Sequence, residues 1–226
     1  MIFQNRRAAG QRLAQELLAR LPHLRDEDPL VLAIPRGGVP VGYEIAVALG
    51  APLDVFVARK LGAPGQEELG IGAVAPGGTR VLDTTTIRML RVSDEYLEKV
   101  TARELAELDR RMRAFRGNRP PPRITGRAVI LVDDGLATGV TARAALAALR
   151  LQQPLRLVFA APVCSPEASG LLAADADAVI CVAVPYRFFG VGAWYADFTQ
   201  TTDEEVVALL ERAGDMDRGS HAPDRG

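Results

Sequence analysis

Five short apolar runs alternate with segments of helical periodicity, and this alternation constrains the fold more than any other feature of the chain. Runs that are apolar at every position are typical of strands buried on both faces of a parallel sheet. Strands that alternate with helices predict such a sheet, with helices packed on both of its faces. The predicted strands are residues 30–34, 53–58, 128–132, 157–161 and 179–184. We therefore predict an α/β fold with a doubly wound, mostly parallel sheet.

The middle of the chain interrupts this alternation. Residues 61–79 contain six glycines and two prolines, which predicts a long mobile loop with room for one hairpin. Ser93 and the two acidic residues after it predict the start of a long inserted helix over 93–116. Its arginines are mixed with acidic residues, which indicates a solvated face rather than a contact with RNA or a subunit. At 226 residues we expect a single domain over 1–213 and a disordered polar tail over 214–226.

Charge and cysteine content exclude several classes of protein. The chain has 27 basic and 28 acidic residues, and this balance makes nucleic acid an unfavourable partner. No apolar run reaches the ~20 residues of a membrane-spanning helix, so we expect no membrane partner. The two cysteines, Cys164 and Cys181, have neither CxxC nor CxxH spacing. They predict a cytoplasmic protein without structural disulfides or zinc.

The segment 129–141 carries the strongest chemical signal. An apolar strand ends in Asp133 and Asp134, at the edge where open α/β sheets bind ligands. A loop of small residues then opens the next helix, and backbone amides, hydroxyls and the helix dipole there suit a phosphate. The loop residues are Ala137, Thr138, Gly139, Val140 and Thr141. The alternative is an ordinary helix start capped by a threonine, which would leave the two adjacent carboxylates unexplained.

This segment resembles the phosphoribosyl diphosphate motif of the type I phosphoribosyltransferases. The resemblance implies that the loop 137–141 holds the 5-phosphate of phosphoribosyl diphosphate. It also implies that Asp133 and Asp134 hold the ribose hydroxyls, directly or through Mg²⁺. One residue departs from the motif, since Gly135 stands where the family usually has Val or Ile.

Two further segments extend the resemblance. Arg36, Gly37 and Gly38 follow the first strand and resemble the family's pyrophosphate loop, in which a non-proline cis peptide is typical. Arg59 and Lys60, followed by the glycine-rich stretch, resemble its mobile catalytic loop, which holds cations on the leaving pyrophosphate. The alternatives are an ordinary strand-to-helix turn and a surface loop with a solvated charge pair.

Residues 185–200 are rich in aromatic side chains and resemble the family's hood, which covers the acceptor base. The match implies that Phe188 stacks on the base and that Asp197 assists the metal or the pyrophosphate. The alternative is an apolar cover over the sheet or a contact between two copies in a homodimer. Oxopurine-specific members carry an acid where this chain has Ala137 and a lysine where 161–165 has none, so the acceptor stays open.

The resemblance as a whole implies a Mg²⁺-dependent enzyme of nucleotide salvage. Such an enzyme moves the 5-phosphoribosyl group from phosphoribosyl diphosphate to a nitrogenous base, purine-like or pyrimidine, and releases pyrophosphate. The catalytic residues would be Lys60, Arg36, Asp133 and Asp134. The alternative is a non-catalytic regulatory protein that binds the same donor as a signal.

Overall fold

The computed structural model describes residues 2–220, with the side chains of all of them except Glu68 and residues 216–220. The helices are α1 (Arg6–Arg20), α2 (Gly38–Leu49), α3 (Thr84–Met89), α4 (Asp94–Arg116), α5 (Val140–Arg150), α6 (Pro166–Leu172) and α7 (Asp203–Ser220). The strands are β1 (Leu30–Ala33), β2 (Leu53–Val55), β3 (Arg59–Ala63), β4 (Gln66–Ala75), β5 (Thr79–Leu82), β6 (Ala128–Val132), β7 (Arg156–Val163) and β8 (Ala178–Ala183).

Five strands form the main sheet in the order β2-β1-β6-β7-β8, and all of its pairs are parallel. Alternate residues along a strand enter different cores, because side chains point to opposite faces in turn. Val31 packs with α1, α2 and α7, whereas Leu30 and Leu32 pack with α5 and α6. The prediction of a doubly wound parallel sheet is therefore confirmed.

The glycine-rich stretch 61–79 contains the hairpin for which the sequence prediction left room, but the rest of it is a strand rather than a long loop. It forms most of β3, β4 and the start of β5, which pair into a three-stranded antiparallel sheet, here called the small sheet. Gly72 allows the backbones of β4 and β5 to approach closely, because a Cβ at this position would lie 2.5 Å from the Val81 carbonyl oxygen. The turn between β3 and β4 uses Gly65 at a φ of 69°. Turn-forming glycines and strand glycines look alike in a sequence, and pairing decides between them.

Helix α4 packs on the small sheet through its own apolar cluster. Leu97, Val100 and Leu108 of the helix meet Leu61 and Ile71 of the strands. The helix begins where the sequence predicts, with the Tyr96 amide donating to the Ser93 hydroxyl at 3.3 Å. The inserted helix and the small sheet thus form one layer beside the main sheet.

The predicted start of the tail at residue 214 is wrong, because α7 continues to Ser220. Val206, Leu210 and Ala213 are buried at helical spacing and anchor the helix across this point. A single glycine such as Gly214 costs a helix only about 1 kcal/mol. The remaining predicted tail, 221–226, lies outside the described residues. None of the helices in the described part of the chain is long and apolar enough to cross a membrane.

The prediction of a chain without disulfides is also wrong. Cys164 and Cys181 are bonded to each other, with their Cα atoms 6.2 Å apart. Strands β7 and β8 are parallel neighbours, so residues 17 positions apart in sequence come side by side. A spacing outside any CxxC motif gives no sign of this pairing. The cytoplasmic location that was inferred from free cysteines loses that support.

Candidate active site

A cavity of about 580 Å³, here called the main cavity, lies beyond the carboxyl ends of β1 and β6. Its walls come from the segments after these two strands, from the small sheet and from α4. The charged side chains among its described lining residues are Arg59, Lys60, Glu67, Arg103, Glu104, Arg111, Asp133 and Asp134. The structure therefore brings together most of the charged residues that the sequence selects, and it adds residues from β4 and α4.

Asp133 and Asp134 are delivered by β6, whose five residues are fully buried. The Asp134 amide donates to Asp133 Oδ1 at 2.8 Å, which fixes the first carboxylate. Burial, together with the neighbouring Asp134 carboxylate, raises the pKa of Asp133 well above its usual range. Burial also raises the pKa of Asp134, although the guanidinium of Arg6 acts in the opposite direction.

Arg6 is a residue of this site that no sequence motif indicates. Its Nε donates to Asp134 Oδ2 at 2.8 Å, and its Nη1 donates to the Thr199 carbonyl at 2.7 Å. Its guanidinium carbon lies 4.0 Å from the centroid of the Phe198 ring. The residue stands at the start of α1, far from Asp134 in sequence, so no local motif indicates the contact.

The loop between β6 and α5 has the form expected of a phosphate site. Gly139 adopts a φ of 77°, and α5 starts directly after it, so the first amides of the helix face the loop. Ser165 stabilises the loop, because its hydroxyl donates to the Ala137 carbonyl at 2.7 Å. Ala137 and Thr138 are exposed, and Thr141 reaches the main cavity. The arrangement can receive an anion at a fixed place.

Gly135, the departure from the family motif, has a structural reason. A Cβ at this position would lie 2.3 Å from Cγ1 of Val191, a residue of the predicted hood. The valine from the hood fills the space that a side chain at position 135 would take. Gly135 and Val191 therefore fit together, and the glycine does not leave the loop loosely packed.

The segment after β1 contacts the carboxylates directly. The Pro35–Arg36 peptide bond is cis, as the resemblance predicts. A Cβ on Gly37 would lie 2.0 Å from Asp134 Oδ2, and one on Gly38 would lie 2.7 Å from the Val132 carbonyl oxygen. Only glycine allows this approach of the two segments, because any side chain would displace Asp134.

The Arg36 side chain does not face the main cavity, where the resemblance to the pyrophosphate loop would place it. Its Nη1 lies 3.3 Å from Asp203 Oδ1, and its side chain lines a neighbouring cavity of about 310 Å³, here called the side cavity. Pro35 and Arg111 line both cavities. The structure thus brings the backbone of this segment to the main cavity and places the Arg36 guanidinium beside α7.

Arg59 and Lys60 both line the main cavity, but from a strand rather than from a mobile loop. Arg59 donates through Nε and Nη2 to Glu104 Oε2, at 2.8 and 2.6 Å. Glu104 lies in the apolar stripe of α4, four residues after Val100 and four before Leu108. A carboxylate within such an apolar stripe indicates that the helix faces a functional site. The prediction of a solvated face did not take Glu104 into account.

The two hood residues selected from the sequence, Phe188 and Asp197, are not among the described lining residues of the main cavity. Phe188 is half-buried and is absent from the described lining of that cavity. Asp197 accepts from the amide and the hydroxyl of Thr199, at 3.0 and 2.7 Å, and these bonds lower its pKa. Two other aromatic residues of the hood contact the carboxylate segment: Phe198 packs on Arg6, and the Tyr195 hydroxyl donates to the Asp134 carbonyl at 2.5 Å.

The donor set fits Mg²⁺ held jointly with a ligand. Mg²⁺ prefers oxygen donors and is commonly bound by one or two carboxylates together with substrate phosphates. Asp133 and Asp134 supply two such carboxylates at the cavity wall. In the part of the chain that the structure describes, no group of three or more metal-ligating side chains is found. The further oxygens would have to come from the ligand or from water.

Comparison with known proteins agrees with this geometry. The model of the phosphoribosyl transferase domain family matches residues 2–195. The chain belongs to the phosphoribosyl transferase domain family. The crystal structure of TT1426 from Thermus thermophilus is 45% identical, has a TM-score of 0.84, and matches 94% of this chain and 99% of that one. The structure of AQ2163 from Aquifex aeolicus, 15% identical with a TM-score of 0.50, covers 91% of this chain and 86% of that chain, and it shares the fold alone.

The curated relatives of this phosphoribosyl transferase domain are longer. A Mycobacterium tuberculosis protein, provisionally named a phosphoribosyl transferase, is 44% identical over 212 residues. The match covers 94% of this chain, which spans about half of the relative, 47% of its length. The family is therefore shown for the domain, and the activity of the domain is a separate question.

Proposed function

We propose that this domain binds phosphoribosyl diphosphate in the main cavity and transfers its phosphoribosyl group to a nitrogenous base, releasing pyrophosphate. The observation that carries the proposal is that three features meet at one cavity: the Asp133–Asp134 pair, the loop 137–141 through Thr141, and the cationic Arg59–Lys60 pair. Each feature suits a different part of the donor. Together they suit a ligand with a phosphate at one end, a sugar in the middle and a pyrophosphate at the other.

The loop 137–141 would bind the 5-phosphate through the amides at the start of α5, with help from the hydroxyls of Thr138 and Thr141. Asp133 and Asp134 would accept hydrogen bonds from the ribose hydroxyls or hold Mg²⁺. Mg²⁺ bound there would neutralise charge on the pyrophosphate oxygens. The two carboxylates would also stabilise the positive charge that develops on the sugar as its bond to pyrophosphate breaks.

In the transfer, the bond from the anomeric carbon to the pyrophosphate oxygen breaks, and a bond from that carbon to a base nitrogen forms. Negative charge grows on the pyrophosphate as it leaves. Arg59 and Lys60 would stabilise that charge, together with the backbone amides around Gly37 and Gly38. Arg36 would contribute only after exchanging Asp203 for the leaving group. The base would be purine-like or pyrimidine, and the proton of its attacking nitrogen would pass to the departing pyrophosphate, a basic oxyanion. Its contacts with Phe188 and Asp197 of the hood would have to form outside the described lining of the main cavity.

One observation favours the alternative of a regulatory protein that binds the donor without turnover. Among the described residues that line the main cavity, none is aromatic, so a base would find no stacking surface there. Such a protein would keep the donor contacts of Asp133, Asp134 and the loop 137–141. Lys60 and Arg36 would then be dispensable.

Titration calorimetry with phosphoribosyl diphosphate and Mg²⁺ tests the donor site. We expect the double variant Asp133→Asn, Asp134→Asn to bind the donor at least about tenfold more weakly, a loss of about 1.4 kcal/mol. The matched control removes two exposed carboxylates, Asp26→Asn with Asp109→Asn, and should bind normally. Unchanged binding by the first variant would refute the placement of the ribose.

Pyrophosphate release across a panel of bases separates the enzyme from the regulator. In an enzyme, Lys60→Ala should reduce turnover by about 100-fold while changing donor affinity less, because its charge acts mainly on the departing group. Donor binding without turnover on any base would favour the regulator.

A further inference from the structure

One wall of the main cavity is formed by a helix that the donor motif does not include. Arg103, Glu104 and Arg111 of α4 all line the cavity, at spacings that place them on one side of the helix. Arg103 and Arg111 keep 59% and 45% of their side-chain surface accessible. They are therefore largely solvated, and their role in packing the domain is small.

Glu104 holds two guanidinium groups at this wall. Its side chain is only 8% exposed, and both of its oxygens are engaged. Arg59 of the small sheet donates to Oε2, and Arg103 donates through Nε to Oε1 at 3.0 Å. Arg103 Nη1 also lies 3.7 Å from Oε1 of the solvent-exposed Glu67. A guanidinium has five N–H donors, so Glu104 orients each group without using all of its donors. This carboxylate therefore fixes cations from two elements at one place.

Arg111 extends the same wall toward the pyrophosphate segment. It lines both the main cavity and the side cavity, and it shares this position with Pro35. Its Nε lies 2.9 Å from Glu107 Oε1, and Arg110 also pairs with Glu107. The two arginines lower the pKa of Glu107 to about 2, so this carboxylate stays ionised and holds Arg111 in place.

We propose that Arg103 and Arg111 of α4 bind the pyrophosphate part of the donor, and that Glu104 is a positioning residue for Arg59 and Arg103. The inference rests on the proposed donor site and extends it onto the inserted helix. The cationic side chains that would contact the leaving pyrophosphate therefore lie on two packed elements, β3 and α4. Arg59 and Arg103 reach the pyrophosphate already oriented, because Glu104 holds both of them before the donor arrives.

Two half-ligands separate this site from the phosphate loop. Inorganic pyrophosphate with Mg²⁺ probes the α4 wall, whereas ribose 5-phosphate probes the loop 137–141. By calorimetry on the full chain, we expect Arg103→Gln and Arg111→Gln each to weaken pyrophosphate binding about tenfold and to leave ribose 5-phosphate binding within about twofold. Arg113→Gln removes the same charge from an exposed position of α4 that is not among the described lining residues of either cavity, and it should change neither affinity.

Glu104→Gln tests positioning through the sign of its effect. The variant removes a negative charge beside an anion site, so a purely electrostatic role predicts tighter pyrophosphate binding. Loss of orientation predicts weaker binding, and we expect about a fivefold loss despite the favourable change in charge. Glu104→Asp keeps the charge and should recover part of the affinity. Circular dichroism and thermal unfolding would establish that each variant is folded.

The outcomes are separable. Unchanged pyrophosphate affinity in Arg103→Gln and Arg111→Gln would overturn the inference, and so would an equal loss for both half-ligands. Tighter pyrophosphate binding by Glu104→Gln would overturn the positioning role. If the wild-type domain binds pyrophosphate but not phosphoribosyl diphosphate, the proposed function fails instead.

Discussion

At the scale of single residues, Asp133 shows how a binding site costs stability. The carboxyl is buried and lies next to a second carboxyl, and both effects favour its protonated form in the folded protein. Its pKa in the folded state is therefore higher than in the unfolded chain. Between these two pKa values the folded state binds more protons than the unfolded chain. The contribution of this carboxyl to stability is therefore fully present below its pKa in the unfolded chain, and it is lost as the pH rises through its pKa in the folded protein.

Asp133→Asn should therefore stabilise the domain at neutral pH. The amide keeps the shape and can still accept from the Asp134 amide, but it carries no charge. We expect its Tm at pH 7.5, in EDTA, to exceed that of the wild type by about 2–4 °C, which corresponds to about 1 kcal/mol at this chain length. The difference should shrink toward pH 4, where the wild-type carboxyl is protonated. A Tm difference that is the same at both pH values would contradict this account.

At the scale of elements, the layer of α4 and the small sheet has a separate apolar core. Most of the buried residues of the layer form this third cluster, whereas Ala75 of β4 and Phe115 of α4 belong to the two clusters that flank the main sheet. Tyr96 adds a polar link, since its hydroxyl donates to the Gly62 carbonyl at 3.0 Å. The layer carries Arg59, Lys60, Arg103 and Glu104, so its order determines the cationic wall of the cavity.

Leu108→Ala should loosen this layer selectively. Leu108 is fully buried against the small sheet, and such a truncation costs about 2–5 kcal/mol. We expect hydrogen exchange measured by mass spectrometry to rise more in β3–β5 than in β1 and β6. Leu151→Ala, at a position 66% exposed, is the control and should behave like the wild type. Equal acceleration in both sheets would show that the layer unfolds together with the rest.

At the scale of the whole molecule, the segment before α1 meets the predicted hood beside the carboxylates. The Phe3 amide donates to the Trp194 carbonyl at 2.7 Å, and the Ala196 amide donates to the Phe3 carbonyl at 2.8 Å. The Phe3 and Tyr195 ring centroids are 5.6 Å apart. Because the Tyr195 hydroxyl also donates to the Asp134 carbonyl, the contact between Phe3 and Tyr195 helps to hold Asp134 in position.

Phe3→Ala should weaken both the fold and the site. Truncation of a buried phenylalanine costs about 3–5 kcal/mol, and the loss should appear in urea unfolding. We also expect donor affinity to fall severalfold, because Tyr195 loses the ring that fixes it. Phe189→Ala, at a position 84% exposed, serves as the control with both properties unchanged. Lower stability with unchanged donor affinity would argue that the contact between Phe3 and Tyr195 does not support the donor site.

The accuracy of prediction from the sequence differs between these scales. The parallel sheet was predictable because each strand is a local apolar run that has only one stable environment. The small sheet was predictable only as one possible hairpin, because Gly62, Gly70 and Gly72 are ordinary loop residues until a partner strand approaches them. The disulfide was missed for the same reason, since the pairing of β7 with β8 is not local. Arg6 and Glu104 enter the site from elements far from the motif.

The sequence by itself determined the positions along the chain of the five main-sheet strands and of the helices between them, the Asp133–Asp134 pair at a strand end and the small-residue loop after it. These are local features, because each depends on neighbours within a few residues. Only the tertiary structure decided which charged groups share a cavity: Arg36 turns to Asp203, while Arg103 and Glu104 face the carboxylates. The physical reason is that partners of a charged side chain are chosen by proximity in space and by burial, and both arise only when distant elements pack.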